Sequence, residues 1–214
     1  MSFIQYLSNV CAKWLATKVP NDKYDTVEDQ IEVYDYGFQV VWGFIVKGIL
    51  LVSIALALGV AVPTLIIALT FASCRILFGG YHMQTYNKCI TLSLTLFIGS
   101  AYLAQHSYQY LTASISYYLI NIIVLLGIYI IYKYVPRDTP NKPITNELEI
   151  KKFKKWSYTY LAVWTFIMMI CLTFNLKLIL LSSCLGFLLN LSFIVPFGCK
   201  IYSKIDNSTP ITIK

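Results

Sequence analysis

Residues 89–132 read CITLSLTLFIGSAYLAQHSYQYLTASISYYLINIIVLLGIYIIY, without one Asp, Glu, Lys or Arg. A helix crosses the hydrocarbon of a bilayer in about 20 residues, so a run of 44 residues makes two crossings and a turn. Three further runs, 48–74, 156–176 and 178–199, are equally free of charge, and the four together hold more than half of the 214 residues. None alternates with period two, which argues against a transmembrane barrel. The pattern predicts an all-α polytopic membrane bundle.

Composition agrees. Charged residues make up 13% of the chain, against about 25% in ordinary soluble domains. The net charge of +7 raises the question of nucleic acid. The cations flank the apolar runs, however, so they read as determinants of topology and no nucleic-acid partner is expected. The six cysteines form no CxxC pair and no metal-ligand spacing. Neither a disulfide framework, a metal nor a cofactor is expected. No basic region precedes the first apolar residues, the first Lys being Lys13, so no cleavable signal is evident.

Six apolar helices are expected at 38–58, 62–78, 90–106, 112–133, 156–174 and 177–198. Residues 2–19 predict an amphipathic helix in the membrane interface, with Ser2 and Gln5 at capping-box spacing and Phe3, Leu7, Val10 and Trp14 along its apolar stripe. Residues 22–35 hold six of the ten acids. There Val27, Ile31, Tyr34, Phe38 and Val41 form one helical seam leading toward the first crossing. The whole chain, 1–214, reads as a single membrane-embedded domain: N-terminal helices over 1–36, bundle over 37–199, cytoplasmic tail over 200–214. Lys47 falls near the middle of the first crossing, where charge is costly. Either it faces the bundle interior or the first two segments form a shorter hairpin.

With both termini cytoplasmic, 15 of the 17 cations fall on the inside, as the positive-inside rule requires. Only Lys177 is then outside, and Lys47 is within a crossing.

Chemistry concentrates in residues 75–89, where Arg75, Gly79, Gly80, His82 and Cys89 meet at a cytoplasmic membrane boundary. The other histidine, His106, reads as a polar turn residue, and the other five cysteines as small buried hydrophobes. A thiol peptidase or transacylase needs imidazole and thiol within hydrogen-bond reach. On continuous helix, seven residues separate them by about 10.5 Å. A dyad therefore requires a break, which Gly79-Gly80 or the turn residues near Asn87 can supply. Cys89 then begins the third apolar helix, where the helix end and Lys88 favour thiolate, and glycine N–H groups are oxyanion candidates. Gln84, Thr85 and Asn87 are equivalent candidates to orient His82. There is no HExxH or GxSxG.

Arg75, Gly79-Gly80, His82, Thr85 and Cys89 resemble the R-x-x-x-G-G-x-H-x-x-(T/S)-x-x-x-C signature of the accessory gene regulator protein B (AgrB) family. Residues Tyr134–Ile144 resemble that family's P-x-D-x-x-x-K-P-I loop, through Asp138, Lys142 and Pro143. The resemblance implies a cysteine endopeptidase of bacterial quorum sensing, in the cell membrane with its active site cytoplasmic. Such enzymes cut a small precursor, AgrD, hold its N-terminal part as a thioester, and release a cyclic thiolactone or lactone. By the same resemblance Cys89 is the nucleophile and His82 the base, with an AgrD-like peptide as partner. The segment 133–155 carries seven cations and three acids, a charge that attracts an acidic peptide tail. Setting topology is the plainer role for those cations. A homodimer is plausible for so small a membrane enzyme. Two other classes compete: a small multi-helix transporter, and a non-catalytic membrane interaction protein.

Overall fold

The computed structural model describes residues 3–20, 26–81, 83, 86–137 and 146–206. Among the described residues eight α-helices follow in order: α1 (Phe3–Ala16), α2 (Val27–Ala57), α3 (Ala61–Phe78), α4 (Tyr86–Ser107), α5 (Ala113–Tyr134), α6 (Glu147–Thr173), α7 (Lys177–Ser192) and α8 (Pro196–Asp206). No strand occurs among the described residues. Five of the helices, α2 to α6, are long and apolar enough to cross a membrane, and a bent α7–α8 pair makes a sixth candidate. The fold is the all-α polytopic bundle that the charge-free runs predict.

The chain forms two compact units, residues 1–53 and 54–214. In the first, α2 starts on a reciprocal cap. The Asp29 N–H donates to Thr26 Oγ1 at 3.1 Å, and the Thr26 N–H donates to Asp29 Oδ2 at 3.1 Å. The nearly inaccessible Gln30 amide donates to the Val19 carbonyl at 3.3 Å, tying the chain before α2 to its first turn. The buried face of α1 centres on Ser8 and Ala12, while Val10 and Trp14 from the expected stripe remain exposed. The seam of residues 27–41 runs without interruption into the first apolar segment, so that both form the single helix α2. Lys47 is half-buried within it.

In the second unit α7 is the hub. It is apolar all round and packs against α3, α4, α5 and α6, as a helix without a polar face must. Small residues let its neighbours approach. A Cβ on Gly186 would stand 2.7 Å from the Ile67 carbonyl oxygen of α3, the close backbone contact that lipid-embedded helices use in place of a hydrophobic drive. Ser183 joins Thr70 at 3.2 Å and accepts from Trp164 Nε1 at 2.9 Å, so buried polar atoms from α3, α6 and α7 satisfy one another. Phe187 fills the centre, 4.7 Å from the Trp164 ring and 5.9 Å from Phe78.

The boundaries differ from expectation at two places that matter. α6 begins at Glu147, not 156, because Asn146 caps it by accepting from the Leu148 N–H at 2.9 Å and the lysines of the first turns stay outside the apolar stretch. The expected helix 177–198 is broken: α7 ends at Ser192 and α8 leaves at 77°. Pro196 supplies the break, since the residue before a proline avoids helical geometry and proline suits a first helical position. A Cβ on Gly198 would run into the Ser192 carbonyl, so the bend needs glycine there. Phe193 and Tyr202 stack at 4.0 Å and the Tyr202 hydroxyl meets Ser192 Oγ at 2.8 Å, which staples the bend shut.

Candidate active site

The helix boundaries at Phe78 and Tyr86 interrupt the helix between Arg75 and Cys89, as the distance argument requires. The reason is local. Gly79 has φ +74° and ψ −149°, and Gly80 has φ +131°, conformations open in practice only to glycine. Gly79 ends α3, its N–H donating to the Arg75 carbonyl at 3.1 Å. It then pairs with Arg137 after α5: the Arg137 N–H donates to the Phe78 carbonyl at 2.9 Å, and the Gly80 N–H to the Arg137 carbonyl at 3.2 Å. The Tyr81 N–H donates to the Phe193 carbonyl in the α7–α8 bend at 2.8 Å. The loop after α3 is thus pinned by backbone to two other segments. These bonds engage the N–H groups of both glycines, so in this arrangement neither is free to receive an oxyanion.

Arg75 closes the loop from within. Its guanidinium donates to the Gly79 carbonyl at 3.4 Å and to the Tyr81 carbonyl. It lies 6.0 Å from the Phe71 ring centre and 5.5 Å from that of Phe193. A Cβ on Gly80 would occupy the guanidinium's place. The second glycine therefore makes room for the arginine. Arg75 is also within electrostatic reach of the Cys89 and Cys199 thiols.

Cys89 is the fourth residue of α4, half-buried and with a free thiol. Its place in the first turn matches the expected start of the third apolar helix within one turn. Beside it, Lys88 Nζ donates to the Asp206 main-chain carbonyl at 2.6 Å and lies 3.7 Å from Asp206 Oδ1. His82, Gln84 and Thr85 lie outside the described residues, and so do Asp138, Lys142 and Pro143. Of the predicted site residues, the structure brings Arg75, Gly79, Gly80 and Cys89 to one end of the second unit. His106 falls in the last turn of α4, Nδ1 2.9 Å from the Tyr102 carbonyl and its ring packed on Tyr102, a local contact with no role at this end.

The model of the Accessory gene regulator B family matches residues 8–195. The chain belongs to the AgrB family. A protein of Clostridium perfringens strain SM101 named AgrB-like is 28% identical over 207 residues, covering 92% of this chain and 96% of its own length. A second AgrB-like protein, from Clostridium perfringens strain 13, is 28% identical over 158 residues, covering 73% of each chain. No solved structure matches. Membership in the AgrB family associates the chain with the processing of an AgrD-like peptide in quorum sensing.

Sequence reasoning missed part of this end of the AgrB-type bundle. Tyr81, Phe193, Cys199 and Asp206 surround the loop, yet none stands out by spacing. One signal was present: Asp206 is the single acid after Glu149. It lies at helical spacing from Cys199 and Tyr202, opposite the exposed Phe197, Ile201 and Ile205.

Proposed function

We propose that this AgrB-family protein is a membrane cysteine endopeptidase that cleaves an AgrD-like precursor and cyclises it through a thioester on Cys89. One observation carries the reading. The break after Phe78 and the start of α4 at Tyr86 leave Cys89 in a first helical turn, on the end of the unit that Arg75 and the glycine pair organise. A helix interrupted between Phe78 and Tyr86 gives an imidazole at 82 a route to the thiol that straight helix denies.

The chemistry runs in two steps. His82 takes the Cys89 proton as the sulfur attacks the scissile carbonyl; the imidazolium returns that proton to the departing amine as the peptide bond breaks. The acyl group stays on sulfur as a thioester. A cysteine thiol within the precursor then attacks the thioester, its proton passing through His82 to the leaving Cys89, and the ring closes as a thiolactone. The second step exchanges one thioester for another and is nearly balanced. The first converts an amide to a thioester and must be drawn forward by consumption of the product.

The precursor's acidic end fits the basic segment 133–155, with Asp138, Lys142 and Pro143 as candidate contacts. The cation count supports a cytoplasmic site and cytoplasmic termini in a bacterial cell membrane, with the chain acting as one membrane-embedded domain. A homodimer is consistent with its size.

Co-expression with the short acidic-ended peptide encoded nearest to this chain tests the proposal. Mass spectrometry of cells and medium should find the cut and cyclised product with the wild-type protein and none with Cys89→Ala. A transporter or scaffold would retain its effect after that substitution, and such a result would end the enzyme reading.

A further inference from the structure

We infer that Asp206, at the end of α8, is a positioning residue that fixes the two chain segments flanking the Cys89 site. The inference rests on the cysteine-peptidase reading above. It draws on α8, which begins after the last residue matched by the family model.

Asp206 is 3% exposed. A carboxylate is kept in such a place only where donors satisfy it. Here the donors are informative. The Tyr81 hydroxyl donates to Oδ2 at 3.0 Å, and Tyr81 immediately precedes His82. Lys88 Nζ approaches Oδ1 at 3.7 Å and donates to the Asp206 main-chain carbonyl at 2.6 Å, and Lys88 immediately precedes Cys89. One residue thus holds the sequence neighbours of both proposed reacting groups.

The bend between α7 and α8 delivers it. The 77° turn, fixed by Pro196, Gly198 and the Phe193–Tyr202 stack, folds α8 back beneath the loop, while Phe193 accepts the Tyr81 N–H. Phe197, Ile201 and Ile205 face outward on the opposite side of α8. An amphipathic helix with that apolar face and two lysines suits a membrane interface, which would keep its polar side turned to the loop. A plain anchoring role would predict only lost stability. A positioning role predicts that turnover falls while substrate binding and the fold persist, because the neighbours of the reacting groups lose their register.

The test uses the full chain in proteoliposomes, with Asp206→Asn, Asp206→Glu, Tyr81→Phe, Lys88→Met and the pair Asp206→Asn with Lys88→Met. Two readouts are taken: steady-state cleavage of the precursor, and the rate of Cys89 alkylation by iodoacetamide, followed on the Cys89 peptide by mass spectrometry. Asp206→Asn should lower kcat about 10- to 100-fold, as misplacement of reacting groups does, with KM within about twofold. Asp206→Glu should recover part of the loss, and the double variant should be no slower than Asp206→Asn alone. Removing the carboxylate also takes the acidic partner from Lys88, the residue next to Cys89 in the chain. Alkylation should then quicken by about two- to fivefold, the size of a partly exposed charge pair, although turnover slows.

Wild-type kcat in Asp206→Asn overturns the inference. So does equal loss in the Asn and Glu variants with reduced helical circular dichroism, which marks a structural anchor alone. If the wild-type protein cleaves no precursor, the peptidase reading falls by itself. The alkylation rate then still decides whether Asp206 acts on the Cys89 environment, an unchanged rate counting against it.

Discussion

The backbone of Gly79 lies so close to that of Arg137 that a Cβ at position 79 would stand 3.0 Å from the Arg137 carbonyl carbon and closer still to its oxygen. The loop after α3 and the chain after α5 are therefore one backbone-bonded unit, and glycine is what lets them meet.

Gly79→Ala should be costly for two separable reasons. Its φ of +74° with ψ of −149° lies in a region essentially reserved for glycine and strains any residue with a Cβ, by roughly 1–3 kcal/mol. The collision with Arg137 adds to that. Gly59 is the control: φ is +68° but nothing lies within 4 Å of a Cβ there. Thermal unfolding in detergent should show Gly79→Ala well below Gly59→Ala, and only the former should also lose precursor cleavage. Equal losses would mean that the Arg137 contact contributes nothing.

Cys89→Ala and His82→Ala should each abolish cleavage while membrane insertion and helical content persist. Cys89→Ser should fail as well, since a serine hydroxyl ionises far less readily than a thiol and the site is proposed to hold no stronger base than imidazole. Product mass spectrometry of the three variants checks this. Cleavage retained by Cys89→Ala would remove the assignment.

The bundle was legible because membrane helices advertise themselves. Charge-free runs bounded by Lys and Arg marked α3, α4 and α5 to within a few residues, since charge is excluded from hydrocarbon whatever the tertiary contacts. Hydropathy carries no such information about bends. The run 178–199 is uniformly apolar, so its break at Phe193–Val195 was visible only in Pro196 and Gly198. For α6, composition marked the apolar stretch and missed the charged turns that Asn146 caps. Near the candidate site, the interruption of the helix between Arg75 and Cys89 was legible because a His82–Cys89 dyad would need one and the glycine pair could supply it. Asp206 was not, because what makes it notable is contact with Tyr81 and Lys88 across more than a hundred positions, as the 125-residue separation from Tyr81 illustrates.

The proposed topology, with both termini inside, rests on the cation count and is open to direct test. In a variant whose native cysteines are replaced, a cysteine at position 108 should react with a membrane-impermeant maleimide from outside intact cells. A cysteine at 140 should react only after permeabilisation. Reaction of position 140 in intact cells would invert the orientation and carry the Cys89 site outside with it.

Two glycines in the core should respond differently to the same change. In α7, a Cβ on Gly186 would meet backbone: the Ile67 carbonyl oxygen at 2.7 Å and the Ile67 Cα at 3.1 Å, with Thr70 Cβ at 3.0 Å. Backbone cannot rotate away, so α3 and α7 must separate. That loosens the Thr70–Ser183 contact of 3.2 Å and the Phe78–Phe187 packing at 5.9 Å. In α5, a Cβ on Gly127 would meet the Leu161 methyls at 3.2 and 3.3 Å, the far end of a side chain that can change rotamer. Gly186→Ala should therefore destabilise by about 1–3 kcal/mol, as overpacking does. For Gly127→Ala the contact cost should be largely offset by the higher helix propensity of alanine, worth up to about 1 kcal/mol. Thermal or denaturant unfolding of both variants in one detergent supplies the comparison. Because α3 carries Arg75 at its end, Gly186→Ala should also slow precursor cleavage, whereas Gly127→Ala should leave it near wild type. Equal stability of the two variants would show that the α3–α7 approach is not the tight contact on which the site's placement depends.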